Sequence, residues 1–193
     1  MALFPGAWNP PTAAHLAIAE AALGWADEVA WVLPEVFPHK SFDGASLPER
    51  LELLRAVAAA NPRFSVATTR GGLYFEMADE AAEAYGPSAE IGLVCGRDAA
   101  ERIAAWNYGR PGVFEAMLER YCLLVAARHG TYLPAPGLSR RIVTLPVEGD
   151  WDHVSSTEVR KRIQSGDPLE DLIPFTIVAR VRELYGPPPG KIR

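Results

Sequence analysis

Cysteine is scarce in this chain: only Cys95 and Cys122 occur among 193 residues, both inside apolar runs, and no CxxC pair is present. The two thiols therefore read as reduced, buried strand residues. No apolar run reaches the length of a membrane span, and no secretory leader is recognised. A long basic block is missing too, and the net charge is −5, which argues against nonspecific nucleic-acid binding. No internal repeat is visible. These absences point to a cytoplasmic protein with neither membrane nor nucleic acid among its partners. A small anionic ligand stays compatible with them, because local positive groups can oppose the global charge. What is present is 49% apolar and 22% charged residues, the balance of a globular chain. The length suits one domain over residues 1–185, helical from about 155, with a proline-rich tail over 186–193 that is expected to fray.

Strand-like and helix-like stretches alternate. Met1–Phe4, Glu28–Leu33, Phe64–Thr68, Glu90–Cys95, Tyr121–Ala127 and Arg141–Pro146 are short and mostly apolar. Helices are expected over Ala13–Leu23, with Leu16, Ala19 and Leu23 on one face, and from Ser46, with Leu51, Leu54 and Ala58 as a stripe and Glu49 completing a capping box. Further helices are expected over Glu76–Tyr85, Ala99–Ala105, Val113–Leu118, Ser155–Gln164 and Pro174–Tyr185. Continuous apolar strands alternating with helices predict an α/β fold, a Rossmann-like doubly wound parallel sheet with helices on both faces and a small helical C-terminal part. Such sheets bind ligands beyond the carboxyl ends of their strands.

Two turns carry the chemistry. In Gly6-Ala7-Trp8-Asn9-Pro10-Pro11-Thr12-Ala13-Ala14-His15, glycine and prolines break the chain, Thr12 caps a helix, and His15 falls in its first turn. A helix start carries unpaired N–H donors and partial positive charge, so it attracts phosphate. In Val154-Ser155-Ser156-Thr157-Glu158-Val159-Arg160, three hydroxyls open a helix, Ser155 and Glu158 fit a capping box, and Arg160 offers a planar fork to phosphate oxygens. Two such termini suit a polyphosphate, and with it nucleotidyl transfer. That reaction needs alignment and charge neutralisation, usually with magnesium, rather than a protein nucleophile.

The first stretch resembles the G-[ST]-F-[DN]-P-x-[HT]-x-G-H signature of the nucleotidylyltransferase superfamily, and Val154–Arg160 resembles its second, I-S-S-T-x-[IV]-R. Within the superfamily the chain looks most like bacterial nicotinate-nucleotide adenylyltransferases. Pro38-His39-Lys40, Gly72-Leu73-Tyr74-Phe75, Cys95-Gly96-Arg97-Asp98 followed by Trp106, and Leu123–Gly130 stand where that family has related elements. Pro5, Thr12, Ala14 and Phe75 depart from its usual residues. The resemblance implies adenylyl transfer from ATP to nicotinate mononucleotide, giving nicotinate adenine dinucleotide and pyrophosphate. It implies catalytic roles for His15, Thr12, Lys40 and Arg160. Gly6, Ala7, Trp8, Gly96, Asp98, Ser155, Ser156 and Thr157 would join Thr12, His15 and Arg160 in holding ATP. Lys40, Tyr74, Phe75 and Trp106 would hold the acceptor. No side-chain metal site is implied; Mg2+ would come with ATP. Another acceptor, such as nicotinamide mononucleotide, another triphosphate, and a catalytically weakened nucleotide-binding homologue are the alternatives, and homo-oligomerisation is left open.

Overall fold

The apolar runs lie side by side as strands β1 (Ala2–Pro5), β2 (Val29–Pro34), β3 (Phe64–Thr69), β4 (Gly92–Gly96), β5 (Cys122–Ala126) and β6 (Ile142–Leu145). In this computed structural model, which describes residues 1–37, 44–127, 130 and 132–187, they form one parallel sheet in the order β3-β2-β1-β4-β5-β6. Every residue of β2 and β5 is buried, which requires cover on both faces. One face carries α1 (Ala13–Ala22), α2 (Leu47–Ala58), α6 (Ser156–Ser165) and α7 (Val178–Tyr185) over Phe4, Trp31 and Leu124. The other carries α3 (Tyr74–Tyr85), α4 (Arg97–Ala104) and α5 (Val113–Arg120) over Leu3, Val32, Leu93 and Leu123. Alternate residues of every strand but β3 thus feed alternate cores. The C-terminal elements share the first core, through Val159, Ile163, Leu172 and Val181. Both cysteines are free and buried. Among the described residues, no helix is long and apolar enough to cross a membrane.

Some local expectations shift. The buried face of α1 is Ala14, Ile18, Ala19 and Ala22, whereas Leu16 and Leu23 are only partly covered. Its alanines let the helix approach the sheet closely, and the leucines close the flanks. In α2 the buried stripe is Arg50, Leu53, Leu54, Val57 and Ala58, with Leu51 at its margin. The capping box of Ser46 and Glu49 is present there. Helix α3 starts at Tyr74 rather than Glu76, because one oxygen of the Glu76 carboxylate accepts from the N–H groups of Gly72 and Leu73 and so serves the helix start. The last helix is divided: a short 3-10 turn, Phe175–Ile177, precedes α7.

Strand order reverses between β1 and β4, which pair through Ala2↔Gly92 and Leu3↔Leu93. In doubly wound sheets the loops leaving two such strands diverge to opposite faces and open a crevice at their carboxyl ends.

Candidate active site

The turn after β1 is built around a buried tryptophan. The Gly6 N–H donates to the Val32 carbonyl at 3.1 Å, and the Trp8 indole donates to the same carbonyl at 2.8 Å. The Trp8 ring is only 2% exposed and stands edge-on to Phe4 and His15, at 4.9 and 5.1 Å between ring centres. Its backbone is left-handed, with φ 51°. For a bulky residue that costs on the order of 1–3 kcal/mol, and it persists only where the surroundings over-determine it, as these contacts do. The same ring explains Gly6: a Cβ there would approach the indole to 2.8 Å.

Thr12 caps α1 and holds the imidazole. Its Oγ1 accepts from the His15 N–H at 3.3 Å and lies 2.9 Å from Nδ1, while its own N–H donates to His15 Nδ1 at 3.0 Å. Because Nδ1 accepts a backbone N–H, the neutral ring carries its proton on Nε2. Thr12 is 1% exposed and supports His15 from beneath rather than lining the cleft.

Distant elements tie down the carbonyls of this turn. Arg50 Nη1 donates to Ala7 O at 2.8 Å, Arg160 Nη1 to Asn9 O at 2.5 Å, and Ser156 Oγ to Pro10 O at 2.8 Å. The Tyr185 hydroxyl donates to Asn9 Oδ1 at 2.6 Å. Arg50 is 7% exposed and sits over the Phe37 ring; burial draws its pKa down, yet a guanidinium stays charged. Sequence reasoning missed Arg50, although its place on the apolar stripe of α2 was a signal that it must be paired.

The two turns meet at one cleft of about 500 Å³ at the ends of β1 and β4. His15 and Arg160 both line it, with Gly6, Ala7 and Trp8 from the first turn, Ser156 and Thr157 from the second, and Gly96 and Asp98 from the β4–α4 junction. Ser155 is not part of that lining; its hydroxyl caps α6 by accepting from the Glu158 N–H at 3.1 Å. The expected reciprocal half of that capping box is replaced, since the Glu158 side chain turns to Arg162 at 3.5 Å and Lys161 at 3.9 Å. A Cβ on Gly96, which precedes α4, would meet no atom within 4 Å. Cys95 also lines the cleft, but burial pushes its thiol far up, so it is no thiolate nucleophile at neutral pH. Lys40 lies outside the described residues.

A narrower, mainly apolar pocket of about 230 Å³ continues from the cleft, sharing Pro5–Ala7, Tyr74 and Arg102 with it. Tyr74, Trp106 and Tyr108 supply aromatic walls. Burial raises the Tyr74 phenol well above its ordinary value and pushes Tyr108 up to about 12, so both stay neutral across ordinary pH. Phe75 does not line the pocket; its ring backs Tyr108, edge to face at 5.9 Å. Sequence reasoning missed Tyr108 and Arg102. Arg102 was findable: Asp98, Arg102 and Trp106 are spaced by four, which puts them along one side of α4 and its C-terminal extension.

The chain is similar to known proteins in sequence and in fold. A cytidylyltransferase-like family profile matches residues 3–162. A "probable nicotinate-nucleotide adenylyltransferase" of Salinibacter ruber is 29% identical over 198 residues, covering 96% of this chain and 97% of the relative. One of Treponema pallidum is 30% identical over 202 residues, covering 92% and 93%. Among solved structures, Plasmodium falciparum nicotinic acid mononucleotide adenylyltransferase complexed with NaAD shares the fold, with a TM-score of 0.69 at 16% identity over 95% of this chain and 96% of that one. The matched span takes in both phosphate-type turns, and the kinship runs the length of the chain: it belongs to the cytidylyltransferase-like family, alongside the nicotinate-nucleotide adenylyltransferases.

Proposed function

We propose that the protein transfers the adenylyl group of MgATP to nicotinate mononucleotide, releasing pyrophosphate and forming nicotinate adenine dinucleotide. The observation that carries this reading is the single cleft lined by both His15 and Arg160, opening into an aromatic pocket. A phosphate oxygen of the acceptor attacks the α-phosphorus. The new P–O bond forms as the bond from the α-phosphorus to the α,β-bridging oxygen breaks, and pyrophosphate leaves with that oxygen. His15, held by Thr12 with its proton on Nε2, donates to a phosphate oxygen where charge builds in the transition state. Arg160 and the N-terminus of α6, with Ser156 and Thr157, hold the departing pyrophosphate end. Gly96 lets the nucleotide approach the start of α4, and Asp98 accepts from a ribose hydroxyl. Magnesium enters as part of the substrate, on the phosphate oxygens. Tyr74 and Trp106 flank the flat pyridine ring of the acceptor, and Lys40, which lies outside the described residues, adds positive charge for the phosphates.

The test is pyrophosphate release with ATP or CTP, each paired with nicotinate or nicotinamide mononucleotide. Turnover is expected with ATP and the nicotinate acceptor. His15→Ala is expected to lower kcat by about 10²–10³-fold, the usual loss for one transition-state donor, with an unchanged far-UV circular dichroism spectrum. Pyrophosphate release by the His15→Ala variant at the wild-type rate would overturn the mechanism.

A further inference from the structure

Arg102 occupies an unusual position. Among the described residues lining the aromatic pocket it is the only one with a charged side chain, and it also lines the phosphate cleft. Its neighbour Arg97 is engaged, with Asp98 at 3.4 Å and Glu101 at 3.7 Å. Arg102 has no hydrogen bond or ion pair among the described residues, and it is exposed. Position also distinguishes it: it comes one turn after Asp98 on α4, four residues before Trp106, between the cleft and the aromatic wall. Its charge reaches the Tyr74 phenol closely enough to oppose, in part, the upward push of burial there.

An apolar slot walled by aromatic rings, whose one cation among the described lining residues makes no hydrogen bond or ion pair to another described residue, suits a flat heterocycle bearing a single negative charge. A neutral amide in the same place would leave the guanidinium without an anionic partner, while a carboxylate matches its planar fork. Resting on the adenylyl-transfer reading above, we propose that Arg102 selects the acid form of the pyridine nucleotide over the amide form by pairing with the ring carboxylate. Arg102 is then a specificity determinant remote from the reacting phosphorus, so its effect belongs in acceptor binding rather than in the chemical step.

The experiment measures kcat and KM for nicotinate and nicotinamide mononucleotide in wild type, Arg102→Gln and Arg102→Lys, with calorimetric binding of each acceptor in parallel. Wild type is expected to favour the acid. Arg102→Gln is expected to raise the KM for the acid, and weaken its binding, by about 10–100-fold, the range for losing a charge-assisted hydrogen bond. Its kcat and its ATP KM should stay within about threefold, and the amide acceptor should be nearly unaffected, so that discrimination collapses. Arg102→Lys should restore part of it. Equal losses for both acceptors, or a raised ATP KM alone, would overturn the assignment and place Arg102 on phosphate instead. Absence of pyrophosphate with wild type would overturn the adenylyl-transfer reading, and the binding comparison would still decide whether Arg102 discriminates acid from amide.

Discussion

Gly6 and Gly96 both border the cleft, yet their side-chain space differs. A methyl on Gly6 collides with the Trp8 ring at 2.8 Å, and that ring is wedged among Phe4, Trp31 and His15. Gly6→Ala is therefore expected to lower stability by about 1–3 kcal/mol, the range for overpacking, read from urea unfolding. Gly96→Ala meets nothing within 4 Å, so its melting temperature should match wild type while the KM for MgATP rises several-fold. An unchanged KM would show that the nucleotide does not approach this point. Thr12 offers a second contrast. Thr12→Val removes the hydroxyl that accepts from His15 N and should cost about 1 kcal/mol, together with a fall in kcat as the imidazole loosens, whereas Thr12→Ser should restore both. The sequence marks all three positions, because glycines in turns and a threonine before a helix have local causes. It does not mark Trp8 as a buried support, since that depends on Trp31 and Val32 arriving from the next strand.

The segment leading into α3 shows how an element positions a pocket. Four successive backbone N–H groups donate to two carboxylates of the helix itself: those of Arg70 and Gly71 to Glu80 at 3.1 and 2.8 Å, those of Gly72 and Leu73 to Glu76 at 3.0 and 2.9 Å. Gly72, Leu73 and Tyr74 then line the aromatic pocket. Glu76→Ala is expected to loosen this helix start and raise the acceptor KM, with the ATP KM little changed, in the same pyrophosphate assay. The backbone N–H of Gly71, helped by Arg70 and against some desolvation, holds the Glu80 carboxyl below its ordinary value. A carboxylate depressed in the folded state stabilises above its unfolded pKa of about 4.3 and loses that contribution as pH falls through the lower folded value. The urea midpoint should therefore drop below about pH 4.5, and Glu80→Gln should flatten part of that drop. Glu49, lowered by its hydrogen bonds from Ser46, titrates in the same direction, so the difference between wild type and the variant isolates Glu80. Helix existence was legible throughout, but helix faces were less so. In α1 the alanines, not the leucines, meet the sheet, and hydropathy alone does not rank residues that pack by being small.

The cleft itself is a product of topology. Each phosphate-type turn is visible locally as a capped helix, but their meeting depends on β1 pairing with β4 and on Ser156 and Arg160 reaching back 146 and 151 residues to Pro10 and Asn9. Alternation of strands and helices predicts the parallel sheet; no local pattern encodes which strand neighbours which, because those pairings form between segments far apart in the chain. A ligand bridging the two turns should therefore stabilise the whole chain rather than one lobe of it. At MgATP one hundred times its Kd, mass action contributes about 2.7 kcal/mol. For a chain of this size, with about 2–4 °C per kcal/mol, that is a rise in Tm of about 5–10 °C. Arg160→Ala removes both the bond to Asn9 O and one of the cations lining the cleft, so two effects are expected in differential scanning calorimetry. The free protein should melt earlier, and most of the MgATP-induced shift should vanish at the same nucleotide concentration. The second effect separates ligand binding from fold support, because a residue that only braced the turn would lower both melting curves equally and leave the interval between them intact.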